Sequence, residues 1–305
     1  MTDPDWLAER FEDHRAHLRG VAYRMLGSLA EAEDTVQDAW LRASRADAAG
    51  VENLGGWLTT IVARLALDRL RARASRREDA VGLEFPEPIV TSVEAADGGA
   101  AAAEASDPER QALLAESVGL AMLIVLDTLS PAERLAFVLH DTFGLPFDQI
   151  APIVERTPEA TRQLASRARR RIRGVVPATE TPMRRQRELV EAFQAASRDG
   201  DFEALLRVLD PDVVVRADRV PAGAPGGRRV VRGAEAVAHQ ALAFRPLAAG
   251  ARPAIVNGAA GGVVFVGDRP YAILAFTFRN DRIVELDVVA DPDRLARIDL
   301  GGVRP

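Results

Sequence analysis

The sequence predicts a multidomain chain in which two all-α units precede an α+β domain. Three observations predict this class. Charge is sorted along the 305 residues, with acidic then basic helical segments repeated twice. A Pro/Ala/Gly-rich acidic stretch separates the two repeats. Beyond about residue 182 the apolar spacing changes from helical to alternating, as expected where strands follow helices.

The elements follow in order. Residues 7–46 place Leu18, Val21, Ala22, Met25, Leu26, Val36, Ala39 and Trp40 at helical spacing, and Leu54 to about Ser75 repeats the pattern with Trp57, Leu58, Ile61, Val62 and Leu65 inward. Residues 1–52 hold 6 Arg against 11 acids, whereas 53–77 hold 6 Arg against Asp68 alone. Residues 81–109 carry seven acids and no arginine, the composition of a solvated linker. Pro108 to Leu129 and Ala132 to Asp141 then read as helices, the second with Ser130 as N-cap and Pro131 at the first helical position. The expected boundaries are 1–80, a linker over 81–107, 108–174, and a last domain over 182–305.

Composition excludes several classes. The chain has no cysteine, which removes disulfides, thiolate catalysis and cysteine-ligated metal centres. All 39 basic residues are arginine, which fits a GC-rich genome. The N-terminal MTDPDWLAER lacks the basic-then-apolar order of a signal peptide, and the longest apolar run, Val118 to Leu126, is far short of a membrane span. A soluble cytoplasmic protein with no membrane partner, no metal and no cofactor is expected.

Residues 156–173 concentrate seven arginines against the single Glu159 in a chain of net charge −6. Thr157 can cap a helix, Pro158 suits its first position, and Glu159 favours the positive end of its dipole. Ala160, Leu164, Ala168 and Ile172 form one apolar stripe, placing Arg162, Ser166, Arg169 and Arg173 opposite. Phe147, Ile150, Ile153 and Val154 also follow helical spacing, so the outline is helix, short turn, helix with the second free for a major groove. Glu159, Thr161 and Arg162 lie where base edges are reached. Arg167, Arg169, Arg170, Arg171 and Arg173 suit phosphates. A merely solubilising arginine face is the plainer alternative, and the turn-helix context argues against it.

FEDHRAHLRGVAYRMLGSLAEAEDTVQDAWLRA with LGGWLTTIVARLALDRLRARASRR resembles the second region of bacterial RNA polymerase sigma factors of the extracytoplasmic-function group. LDTLSPAERLAFVLHDTFGLPFDQIAPIVERTPEATRQLASRARRRIRG resembles their fourth region. The resemblance implies that the AEDTVQDAWLR helix docks on the arginine-bearing coiled coil of the polymerase β′ subunit, through Glu33, Asp34, Gln37, Asp38, Trp40 and Leu41. It implies a second contact at the β flap and a promoter-DNA partner. It further implies that Asn53, Trp57, Arg64, Asp68, Arg69, Arg71, Arg73, Arg76 and Arg77 face the melted strand and its phosphates. The plainer reading makes Trp57 a core aromatic and Asp68 an internal ion-pair partner, and leaves Trp40 open between core and surface.

Residues after Gly174 read as helices, then strands at VVVRAD, PAIVNG, GVVFVG, YAILAFTF and RIVELDVV, similar to the cone-shaped SnoaL-like domains. Asp218, His239, Glu285 and Asp287 form no spacing-specific catalytic set, so no catalytic residue and no enzyme activity is expected. Sigma factors with this extension carry a Trp-Leu-Pro-Glu-Pro linker motif, of which Pro86, Glu87 and Pro88 are kept here, with Phe85 in place of the Leu and Glu84 in place of the Trp. Their Asp-Gly-Gly-Gly-Lys motif is matched only by Asp218 and scattered glycines. The subset implies regulation in cis by the C-terminal domain, through Phe85 to Pro88 and the loop around Asp218, with an unknown small molecule or protein as its regulator. A ligand-responsive helix-turn-helix regulator that does not act as a polymerase subunit is the alternative.

Overall fold

The computed structural model describes residues 4–46, 51–76, 85–96, 119–173, 181–219 and 229–305. Arg77, together with the side chains of Arg76 and Arg173, lies outside the described residues, as do most of the linker and the glycine-rich loop after Asp218. The described chain forms two compact units. One is built within Met1–Glu87 and Met122–Val176, the other within Pro88–Asp107, Val118–Ala121 and Pro177–Pro305.

The first unit is helical. Helices α1 (Pro4–Leu26), α2 (Leu29–Ala43) and α3 (Leu54–Arg76) pack around Leu18, Val21, Met25, Val36, Leu58 and Leu67. The apolar spacing over 7–46 is broken into two helices at Gly27, whose φ of 74° lies in the left-handed region that ends a helix. Ser28 then accepts from the Glu31 backbone and caps α2. The Asn53 carboxamide accepts from Gly56 N at 2.9 Å and caps α3 in the same way.

Residues Leu120–Asp127 form α5, and Pro131–Phe137 form α6, opened by a capping box between Ser130 and Glu133. The expected α-helix to Asp141 instead widens into a π-turn over Val138–Thr142. Helix α7 (Phe147–Val154) ends at Glu155, which adopts left-handed geometry with φ 57°, and α8 (Pro158–Arg173) follows. Thr157 Oγ1 accepts from Ala160 N at 3.2 Å, so the cap read from the sequence is present.

The second unit is an α+β domain. Helices α9 (Met183–Asp199), α10 (Phe202–Val208), α11 (Ala234–Ala243) and α12 (Arg245–Ala248) accompany one seven-stranded sheet. Its order is β1 (Val90–Ser92), β4 (Ala251–Val256), β5 (Ala259–Val266), β6 (Arg269–Arg279), β7 (Arg282–Val289), β2 (Leu209–Ala217) and β3 (Arg229–Arg232). Only β2 and β7 run parallel. Irregular registers in the β2–β7, β5–β6 and β6–β7 pairs bend the sheet. Leu189, Phe193, Leu205, Val215, Phe276 and Leu286 fill the space between helices and sheet.

One departure concerns the linker. Residues 85–96 were expected to be solvated, yet Val90–Ser92 pairs with Val256–Ala254 as an edge strand, and α4 (Val93–Ala96) follows it. Ile89 N donates to Asn257 Oδ1 at 3.0 Å, and Asn257 N donates back to Ile89 O at 2.8 Å. The β-branched Ile-Val-Thr run supplies the strand propensity that a composition count over 81–109 averages away.

Candidate nucleic-acid interface

Helices α7 and α8 with their three-residue turn present one exposed polar face. Glu159, Arg162, Ser166, Arg167 and Arg170 all lie on it, while Leu164, Ala165, Ala168 and Ile172 are buried beneath. Thr161 does not belong to this face. It is fully buried, and its hydroxyl donates to Thr157 O at 2.9 Å, so it steadies the first turn and cannot reach a base. Position alone put it near the groove; its rotation about the helix puts it inside.

The arginines of α8 divide by partner. Arg162 lies over the Phe147 ring at 5.3 Å, and Phe147 stacks on His140 at 3.9 Å, forming a column that supports the start of the helix. Arg169 donates to Asp141 at 2.6 Å. Arg167 and Arg171 both approach Glu133, at 3.5 and 3.2 Å. Those three are therefore oriented by α6 and its π-turn, while Arg167 and Arg171 stay more than half exposed. Two exposed side chains of the same segment, Arg156 in the turn and Gln163 on α8, escaped the reading by apolar stripe; a helical wheel centred on Arg162 would have found Gln163.

The second basic helix is more mixed. Arg64, Asp68 and Arg71 are exposed on one side of α3, with Asp68 within 3.9 Å of Arg71. Arg69 and Arg73 were expected to face a nucleic-acid strand, but they face α2. Arg69 donates to Asp38 at 2.7 Å, and Arg73 pairs with Glu31 and donates to Leu26 O at 3.0 Å. They clamp the bundle, because turns of α3 at this spacing point at the acids of α2. Trp57 is half-buried near the N-terminus of α3, and Asn53 beside it is exposed.

A different face gathers the acidic helix. Asp34, Gln37 and Leu41 are exposed one turn apart on α2, and Leu41 retains 50% of its surface. Trp40 packs on Phe11 with ring centroids 5.1 Å apart, and the half-exposed Trp6 lines the same groove. Glu33 is instead held by Arg15 and by Arg19 at 3.4 Å. Trp6 and Phe11 went unnoticed in the sequence because the surface they share with Trp40 is assembled from two helices, α1 and α2.

The comparisons with known proteins bear on these faces. Residues 10–76 match the description Sigma-70 region 2, and residues 121–172 match Sigma-70, region 4. Across 93% of this chain and 91% of the relative, 39% of residues are identical to the ECF RNA polymerase sigma factor SigJ of Mycobacterium tuberculosis. The chain belongs to the ECF RNA polymerase sigma factors. It is also 34% identical to the probable ECF RNA polymerase sigma factor SigI of the same species, over 99% of this chain and 100% of that one. The crystal structure of M. tuberculosis SigJ superposes with a TM-score of 0.74 at 34% identity, covering 96% of this chain and 99% of that one. The α+β domain is thus part of the shared architecture of this sigma factor. No helix among the described residues is long and apolar enough to cross a membrane.

The remaining expected positions lie at the end of the first unit's N-terminal segment and in the second unit. Phe85 and Pro86 are buried in the first unit. There Glu87 N donates to Gly27 O at 2.7 Å, and its carboxylate accepts from Leu29 N at 3.0 Å and Ser28 Oγ at 3.2 Å. Pro88 is buried and leads into β1 of the second unit. Asp218 accepts from Ala290 N at 2.7 Å and from Arg294 at 2.8 Å, so its carboxylate knits the ends of β2 and β7 to α13 (Pro292–Leu295). His239 is exposed and lies against Phe202. Glu285 and Asp287 are buried with Arg216, at 2.5 and 3.2 Å. Burial pushes the Asp287 carboxyl up to about 7, Arg216 opposes the rise, and Glu285 adds to it.

Proposed function

We propose that this sigma factor reads two promoter elements with separate surfaces and is regulated in cis by its α+β domain. The α8 face, led by Arg162, reads the element centred about 35 bases upstream of the start site, with the N-terminal half of the helix in the major groove. Arg167, Arg169 and Arg170 hold phosphates. Asn53, Trp57, Arg64, Asp68 and Arg71 meet the element about 10 bases upstream, where the strand is melted. Asp34, Gln37, Trp40 and Leu41 dock on core polymerase, whose basic coiled coil complements the acids.

The observation that carries this reading is the separation of charge by surface within one unit. A cationic helix-turn-helix face and an acid-edged apolar groove are presented by different elements, as a subunit that bridges DNA and a basic partner requires. A free-standing helix-turn-helix regulator has no use for the Trp6–Trp40–Leu41 groove.

Regulation in cis rests on residues 85–92, which interlock with the first unit through Glu87 and with the second through Ile89–Ser92. The two anchorages are consecutive in sequence, so whatever displaces one pulls on the other. Run-off transcription with core enzyme tests both parts. The full chain should direct initiation from a specific promoter, and a chain ending after residue 175 should show altered activity and polymerase affinity. No directed initiation by either chain would overturn the sigma assignment, and identical behaviour of the two would overturn cis regulation.

A further inference from the structure

Within the second unit, helices α9, α11 and α12 and the facing sheet line an open-mouthed cavity of about 150 Å³. Its wall is apolar almost throughout, with Phe193, Val215, Val237, Phe244, Val264 and Leu274 contributing. A space of roughly 150 Å³ lined by such side chains accommodates a benzene-sized molecule. Gln194, Ser197, Arg219, Gln240 and Tyr271 interrupt the apolar wall, and two of them leave a buried amide atom without a partner among the described residues. Gln194 of α9, only 6% exposed, has no hydrogen-bond partner for its Nε2 among the described residues, and Gln240 of α11 has none for its buried Oε1.

Buried amides without partners are costly, and one such group per site would already call for an explanation. Here a donor and an acceptor line one cavity. The backbone makes room for the first: a Cβ at Gly262 of β5 would come within 2.9 Å of Gln194 Nε2 and 3.1 Å of Arg252 O. The amide therefore occupies space that any other residue at 262 would deny it.

Charge is kept out of the same wall. Val215, Ala217, Leu286 and Val288 line the cavity, so strand alternation sends Arg216, Glu285 and Asp287 to the opposite face of the sheet. Among the lining residues the one ion is Arg219, whose side chain is 54% exposed and lies 3.5 Å from Asp291. A charged ligand would lose its hydration without meeting an opposite charge inside. A neutral one with a hydroxyl or carboxamide group, which can accept from Gln194 Nε2 and donate to Gln240 Oε1, would satisfy the two amides and fill the apolar volume.

We propose that this cavity is a binding site for a small, uncharged, mainly apolar molecule bearing one hydroxyl or carboxamide group, which accepts from Gln194 and donates to Gln240. The site goes beyond promoter recognition and polymerase docking, and it does not depend on them. Its occupant lies against α9 and α11, which carry the helical wall of the domain, so binding stiffens that wall.

Binding is measured by saturation-transfer NMR and calorimetry on the full chain, with benzyl alcohol, benzamide, toluene and benzoate as probes. Benzyl alcohol and benzamide should bind at least tenfold more tightly than benzoate. Gln194→Leu should reduce the preference for benzyl alcohol over toluene at least fivefold, and Gln240→Leu supplies the same comparison should the first variant fail to fold. Ala241→Phe, which fills the space, should abolish binding of all four. Absence of binding by either polar neutral probe, equal binding of benzoate, an unchanged alcohol-to-toluene ratio in the glutamine variant, or undiminished binding in the Ala241 variant would overturn the site. Run-off transcription on the same preparation reports separately on the sigma assignment, so failure of one is not read as failure of the other.

Discussion

The guanidinium of Arg134 donates to Asp127 at 3.1 Å and to the carbonyl oxygen of Arg24 at 3.1 Å, with only 2% of its side chain exposed. It thereby joins α6 of the region-4 match to α1 of the region-2 match inside one packed unit. Removing one partner of a buried pair strands the other, at a cost of about 3–5 kcal/mol. Arg134→Ala should lower the unfolding free energy of the chain by that amount. Pairing it with Asp127→Leu should recover a large part of the loss. Denaturant unfolding monitored by circular dichroism checks both, and a change under about 1 kcal/mol in the single variant would refute the role of the pair.

The docking groove makes a prediction that separates binding from folding. Leu41 is half-exposed and its truncation should change stability by no more than about 0.5 kcal/mol. As an apolar anchor at the edge of an interface its loss should weaken binding to core polymerase about tenfold, or about 1.4 kcal/mol. Trp40→Ala should weaken both, because Trp40 also packs on Phe11. Binding assays with purified core enzyme distinguish the two patterns.

On α8, Arg162 and Arg170 should fail differently. Arg162→Ala should change preference among sequences of the upstream element by about 1–3 kcal/mol if its guanidinium meets a guanine edge. Arg170, exposed on the same helix, should contribute uniformly across sequences, and Arg170→Ala should reduce the slope of log affinity against log salt by about 1. Equal losses on every sequence from the Arg162 variant would remove it from base reading.

How far the sequence carried these assignments depends on the range of the signal. Helix α8 was legible to its first residue, because Thr157, Pro158 and Glu159 specify a helix start locally. The helix-then-sheet order of the second unit was legible for the same reason, each element having its own period. Strand β1 was not, because its partner Val256 lies far along the chain and no local feature announces the pairing. Nor could spacing reveal that Arg69 and Arg73 turn towards Asp38 and Glu31, since a basic helix against an acidic one looks, residue by residue, like a basic surface. Burial is set by the neighbouring helix, and the neighbour is a tertiary fact. Thr161 fell on the wrong side of α8 for another reason: three residues before Leu164 and seven before Ala168, it lies on the apolar stripe itself, and an assignment by nearness to the helix start passes over that rotation.

Glu87 offers a way to test the anchorage of the linker. Its carboxylate accepts from the partly buried first turn of α2, at Leu29 N, where a negative charge also meets the positive end of the helix. Glu87→Ala should destabilise the first unit by about 0.5–2 kcal/mol, and Glu87→Gln should recover most of that, since the amide oxygen still accepts. Thermal unfolding checks the stability. Transcription by the Glu87→Ala variant should shift towards that of the chain ending after residue 175, and a variant indistinguishable from the parent would separate the anchorage from regulation.

Asp287 predicts how stability of the second unit depends on pH. Its folded-state value of about 7 stands above the ordinary carboxylate range, so between that range and about 7 the folded chain holds a proton that the unfolded chain has lost. With fewer protons bound in the unfolded state, the unfolding free energy falls as pH rises. The contribution is therefore fully present below about pH 4, the ordinary aspartate value, and is lost as pH climbs through 7. Asp287→Asn fixes the group in a neutral form and leaves Glu285, 2.5 Å from Arg216 in the parent, as the partner of that arginine. The parent should lose thermal stability from pH 5 to pH 8, and the variant should lose less over the same interval and exceed the parent at pH 8. Differential scanning calorimetry across that interval decides it, and parallel curves for the two proteins would place the pH dependence elsewhere.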